Sequence, residues 1–163
     1  MDHIFVKTLF DFLHILATAI WIGGMFTNFV ILRPAVINTL SPADAGKLMA
    51  AVMKKTRLVV YISIVVLGIT GIPLKIINEN YTSIIDFENS WAIVSFIKHL
   101  CYGILVLLSV YSFEKLGPMV QKMAIKGETV QLQQLQKKQA VIGLVAFLTA
   151  IMILILSSLM RYS

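Results

Sequence analysis

Four stretches of the chain carry almost no charge, and they dictate its architecture. Residues 12–32 hold no formal charge. Leu58 to Leu74 is a second apolar run that ends at Lys75. Trp91 to Phe113 is a third, broken by Lys98 and His99, and Ala140 to Met160 is a fourth, free of charge throughout. About 20 apolar residues at helical rise cross a bilayer core, and in hydrocarbon a helix satisfies its backbone N–H and C=O groups within itself. The pattern predicts an all-α, integral membrane four-helix bundle in one domain, 1–163, with spans at about 8–32, 58–77, 91–113 and 140–160. The first run carries Asp11 and His14 and continues into Trp21-Ile22-Gly23-Gly24 with no small-residue cleavage pattern, so it reads as a span and not as a cleaved leader.

The spans group into two helical hairpins, roughly 4–77 and 91–162. In each, a histidine lies near the start of the first helix and a proline near its far end: Pro34 is 20 residues after His14, and Pro118 is 19 after His99. Ser41-Pro42-Ala43-Asp44 offers an N-cap, a proline at the first helical position and an acid in the first turn. Ala45 to Arg57 should then run as an amphipathic helix straight into the second span, and Glu128 to Gln139 should extend the fourth. Between the hairpins, Asn78 to Ser90 alternates acids and amides with Tyr81, Ile84, Ile85 and Phe87, and is expected to lie across the outer surface.

Composition agrees. The chain is 58% hydrophobic and 13% charged, where soluble domains carry nearer a quarter charged residues. The net charge of +6 is a topology signal and not a nucleic-acid footprint. Arg33, Lys47, Lys54, Lys55 and Arg57 lie between spans one and two, and Lys115, Lys122, Lys126, Lys137 and Lys138 between spans three and four; together they are ten of the 14 Lys and Arg residues. By the positive-inside rule these loops are cytoplasmic, which places the N and C termini outside. The expected setting is the plasma membrane of a prokaryotic cell, multi-pass. The bilayer is the main partner, anionic lipid lies against the basic loops, no nucleic acid is bound, and a homo-oligomer is left open. Cys101 is alone, so no internal disulfide and no Cys-based metal motif can form. No catalytic triad, phosphate loop or nucleotide fingerprint is present.

An ionisable side chain inside a span is a functional signal by default, and two of the three histidines are so placed. On span one, Asp11, His14, Thr18, Trp21, Met25 and Asn28 form one stripe at helical spacing, with Leu, Ile, Ala, Phe and Val elsewhere. On span three the stripe is Ser95, His99, Tyr102, Val106, Ser109 and Phe113. Taking Lys7 and Trp91 as markers of the outer boundary, both histidines lie roughly 10–12 Å below it at helical rise. Two imidazoles at one level can clamp a haem iron or share a smaller metal such as copper. Asp11, one turn outward, and Ser95 are placed to orient the rings. Lys7, Lys75 and Lys98 stand where haem carboxylates would point, and Gly23, Gly24, Gly68, Gly71 and Gly103 let backbones approach a flat ligand. Glycines also serve ordinary close helix packing, and a lysine near a span end also snorkels to the interface. His3 precedes the span and is expected in solvent.

Leu13-His14-Ile15-Leu16 followed by Ala19-Ile20-Trp21-Ile22-Gly23-Gly24, Ile97-Lys98-His99-Leu100, and Gln139-Ala140-Val141-Ile142-Gly143-Leu144 together resemble the copper resistance D superfamily of small four-helix membrane proteins. That resemblance implies copper handling. The related haem-dependent protoporphyrinogen oxidases would place their first-helix histidine on His14 and their third-helix lysine on Lys98; the chain departs from them at Asn28-Phe29-Val30-Ile31-Leu32-Arg33-Pro34, where they carry a Pro-Arg-Leu-Phe stretch and a further histidine. The residues themselves lead to haem b held by His14 and His99, with Lys98, Lys75, Lys7, Tyr102 and Trp21 around it, in electron transfer or redox sensing with a quinone or a redox protein. Copper transport and porphyrinogen oxidation are the alternatives.

Overall fold

The computed structural model describes residues 2–81, 83, 87, 89–126 and 129–162, with the backbone alone at 2, 3, 42, 43 and 129. Helix α1 is Asp2–Phe26, α2 Arg33–Thr39, α3 Pro42–Ile76, α4 Ser90–Tyr111, α5 Gly117–Lys126 and α6 Thr129–Leu159. No strand occurs among the described residues. Single π-helical segments, Thr27–Leu32 and Ser112–Leu116, join α1 to α2 and α4 to α5 without a break. The chain is therefore an all-α set of four rods, Ile4–Thr39, Asp44–Ile76, Ser90–Lys126 and Val130–Leu159, each long and apolar enough to cross a membrane. The first, at 36 residues, is about 54 Å long against a hydrocarbon core of about 30 Å. The rods outreach the expected spans because the basic segments between them are helical too.

The caps follow the sequence. Ser41 Oγ accepts the Asp44 N–H at 3.2 Å and donates to its carboxylate at 2.7 Å, with Pro42 in the first turn of α3. Asn89 Oδ1 accepts the Ala92 N–H at 2.7 Å and starts α4. Of the segment between the hairpins, residues 82, 84–86 and 88 lie outside the described ones; Phe87 packs edge-on against Phe96, centroids 5.3 Å apart. The side chain of His3 and residue Glu128 also lie outside them.

The prolines do not end their helices. A proline lacks the N–H that would bond four residues back, and its ring collides with that carbonyl. Before Pro34 and Pro118 the backbone widens: Arg33 N–H reaches Asn28 O, and Gly117 N–H reaches Ser112 O, both five residues back, whereas Pro73 sits inside α3 itself. Pro34 and Pro118 then sit at the second position of a fresh α-helix. The two hairpins thus share one backbone device 84 residues apart, in addition to the shared histidine and proline spacing.

Packing is strongest within hairpins, α1 on α3 and α4 on α6. The hairpins meet where α1 touches α6 and α3 touches α5. Each rod contributes to one small core of Trp21, Val60, Leu105, Ala146 and Ala150; alanines on α6 leave room for the indole. Toward the α2 end, the Phe29 ring lies on the backbone of Gly143 and stacks on Phe147, centroids 6.3 Å apart. Along α3 and α4 the link is made by side chains. Tyr102 Oη donates to Ile64 O at 2.8 Å. Nearer the basic end, Glu114 accepts from Tyr61 Oη at 2.5 Å and pairs with Arg57 Nε at 3.2 Å. Outward faces are Leu, Ile, Val and Phe and remain exposed, as lipid requires.

The glycines separate into tight and open positions, which gives a paired test. Gly143→Ala forces its methyl into the Phe29 ring and should cost about 1–3 kcal/mol, as overpacking does. At Gly103 an added methyl meets nothing within 4 Å, so Gly103→Ala should be neutral or gain a few tenths of a kcal/mol through helix propensity, about 0.4–1 at most. Thermal unfolding in detergent should lower Tm for the first variant only.

Candidate histidine site

Both histidines lie at the end of the bundle where α1 and α4 begin, and each ring is held by its Nδ1. His14 Nδ1 lies 2.8 Å from Thr70 Oγ1 on α3. The Thr70 hydroxyl donates its own proton to Val66 O at 2.7 Å, so its oxygen receives the His14 Nδ1–H. Gly71 makes room for the ring: a methyl there would stand 3.3 Å from His14 Cε1. His99 Nδ1–H donates to Ser95 O at 2.6 Å, and a carbonyl oxygen can only accept. Both rings are thereby set in the tautomer that leaves the Nε2 lone pair open, the arrangement by which proteins prepare histidine for a metal.

Charge gathers at the same level. Lys98, Asp11 and His99 act on His14 through space, and Lys98 and Lys75 act on His99. Lys98 is half-buried and has no ion pair among the described residues; His99 is exposed on its α4 face. Lys75 stands in the last turn of α3. Lys7 and Asp11 are exposed on α1. Asp11 does not hold the His14 ring; Thr70 does, from the neighbouring helix.

Four side chains in the spans are polar and buried: Ser63, Thr70, Ser95 and Ser109. Three of them donate to the carbonyl four residues back, the usual escape for a hydroxyl in a helix. Ser95 departs. It is 0% exposed, and its Oγ has no partner among the described residues, although its carbonyl anchors His99. Deeper in the bundle, Trp21 and Tyr102 meet edge to face, centroids 6.2 Å apart; Trp21 is 2% exposed with Nε1 unpartnered.

Haem fits the donors present. Two imidazoles with open Nε2 atoms would suit an iron between them, and the Ser95 hydroxyl and Lys98 ammonium, unpartnered among the described residues, suit a carboxylate-bearing ligand. Among the described residues no group of three His, Cys, Asp or Glu side chains comes together, so a protein copper site with three such donors is not assembled. Sequence reasoning missed Thr70, and it had Gly71 only as one of five glycines that let backbones approach a flat ligand, not as the residue that admits the His14 ring. The available signal was Thr70 itself, the one threonine in the mostly aliphatic run Leu58 to Leu74.

No curated protein and no solved structure matches the chain. Residues 16–129 match the family described as a domain of unknown function, DUF4149. The match takes in Thr70, Lys75, Ser95, Lys98 and His99 and begins two residues after His14. Since it covers most of the sequence, this multi-pass helical membrane protein belongs to the DUF4149 family.

Proposed function

We propose that this protein binds haem b between α1 and α4, where His14 and His99 would hold the iron, and serves in electron transfer or redox sensing in the plasma membrane. One observation carries the reading: both imidazoles have Nδ1 committed and Nε2 open, at one end of the bundle. Bound there, haem supplies a one-electron couple. The residues do the rest. Thr70 and Ser95 O fix the ring orientation, Gly71 admits the His14 ring, and Ser95 Oγ with Lys98 receives a carboxylate, with Lys75 and Lys7 nearer the surface. Burial and charge around the ligands tune such a centre. A quinone or a redox protein would be the partner. The half-buried Lys98 beside both rings supports a second reading on the same site, porphyrinogen oxidation with Lys98 holding a substrate carboxylate. The resemblance to the copper resistance D group supports a third, copper transport using His14 and His99.

Purified in mild detergent, the protein should show low-spin b-type haem spectra. His14→Ala and His99→Ala should each remove most of the haem, and Thr70→Val should weaken binding by about 10–100-fold, as loss of a ligand's orienting partner does. Wild-type spectra in both alanine variants would sink the assignment, and a colourless protein with stoichiometric copper would replace it with the transport reading.

We also place the two basic connections in the cytoplasm and the histidine end outside, from the distribution of Lys and Arg. A reporter enzyme active only outside the membrane, fused after Ser163, should be active. A reporter fused after Lys126 should be silent. The reverse pattern would invert the bundle.

A further inference from the structure

The seam between α3 and α4 holds a feature that the histidine site does not use. The two helices come close through side chains at two levels, Tyr102 on Ile64 and Glu114 on Tyr61 and Arg57. On α3 beside this seam an open apolar groove of about 270 Å³ faces outward, lined by Tyr61, Ile62, Val65 and Val66 of that helix alone. Its wall is almost wholly hydrocarbon. It is a shallow, open groove on the face of α3, wide enough for a flexible chain to lie along.

The same face of α3 changes character toward its basic end. Lys54 lies seven residues before Tyr61, and Lys55 seven before Ile62, so each lysine stands on the line of a groove residue, about 10 Å along the helix. Leu58 continues the line between them and is 65% exposed. Lys54 and Lys55 are exposed. Beside them, Arg57 gives Nε to Glu114 and keeps its guanidinium half-exposed, and Lys115 follows Glu114 on the π turn of the facing helix.

We infer that this seam is a binding site for one anionic phospholipid of the leaflet at the basic end. One acyl chain lies along the groove against Ile62, Val65 and Val66. The phosphate, two turns of α3 away, meets Lys54 and Lys55, with Arg57 and Lys115 beside it. Apolar contact alone would hold any lipid. The lysines select the anionic headgroup, because cations near a membrane surface attract acidic lipids and not zwitterionic ones. The Arg57–Glu114–Tyr61 cluster lies where the glycerol backbone would pass, so a bound lipid ties α3 to the α4–α5 junction.

The test uses the full-length protein in nanodiscs of palmitoyl-oleoyl phosphatidylcholine with a tenth part of phosphatidylglycerol of the same chains. It is released into native mass spectrometry to count retained lipid. Phosphatidylglycerol should be retained at near one per chain, far above its share of the bilayer. Lys54→Gln with Lys55→Gln should cut that enrichment by about fivefold per lysine, while Lys137→Gln with Lys138→Gln, on α6, should leave it unchanged. Val65→Trp, which fills the groove, should lower retention of both lipids. Equal loss from the two lysine pairs would reduce the effect to diffuse charge and overturn the site. So would equal retention of the two lipids, an unchanged count in Val65→Trp, or a dimer of this chain lost on that substitution.

Discussion

A polar group carried into hydrocarbon has to find its partner inside the protein, because there is no water to supply one. That constraint shapes this chain more than any contact does. It makes helices of the four apolar runs and keeps them helical past Pro34, Pro73 and Pro118. It also turns hydroxyls back on their own backbone, as Thr18, Ser63, Thr70 and Ser109 do. Where it is met so consistently, the exceptions acquire meaning. Among the described residues, Ser95 Oγ, Trp21 Nε1 and Asn28 Oδ1 are buried without partners. An unsatisfied buried polar group costs about 1–3 kcal/mol, which a sequence this economical with polar residues has little reason to bear unless something else meets it.

The histidine site depends on the same rule. His14 draws its partner from α3 and His99 from its own helix, so the two rings are fixed by different means to the same end. Neither bond involves a carboxylate. A neutral hydroxyl and a carbonyl orient a ring without adding negative charge beside it, whereas a carboxylate partner would stabilise the more positive state of a bound metal. Charge reaches the rings only through space, from Lys98 and Lys75 on His99 and from Lys98 and Asp11 on His14.

Much of this was legible in the sequence. The four runs gave the helices, Ser41-Pro42-Ala43-Asp44 gave a true cap, and the basic segment Ala45–Arg57 does continue into α3. The stripe Asp11, His14, Thr18, Trp21 was sound as periodicity, and it led to Asp11 as the partner of His14 because both lie on one helix. Thr70 was invisible for the complementary reason. Its role depends on which rotation of α3 faces α1, and a helix that is aliphatic nearly all round leaves that rotation unmarked. The widened turns were hidden too, since nothing in Thr27–Leu32 or Ser112–Leu116 differs in composition from an ordinary helix; only the prolines that follow hint at them.

Those widened turns have a consequence for how the family can vary. A π-helical turn accommodates one residue more than the α-helix it interrupts, so it behaves as an insertion absorbed within a rod. Everything upstream keeps its rotational phase toward the histidines, and everything downstream is turned by about 100°, one residue's worth of helix. The Trp21 half of α1 and the Val36 half of α2, both buried, therefore answer to separate registers. Related chains should gain or lose single residues at 27–32 and 112–116 more readily than anywhere else in these rods, and the basic end could be re-aimed at new neighbours while the histidine end stays in place.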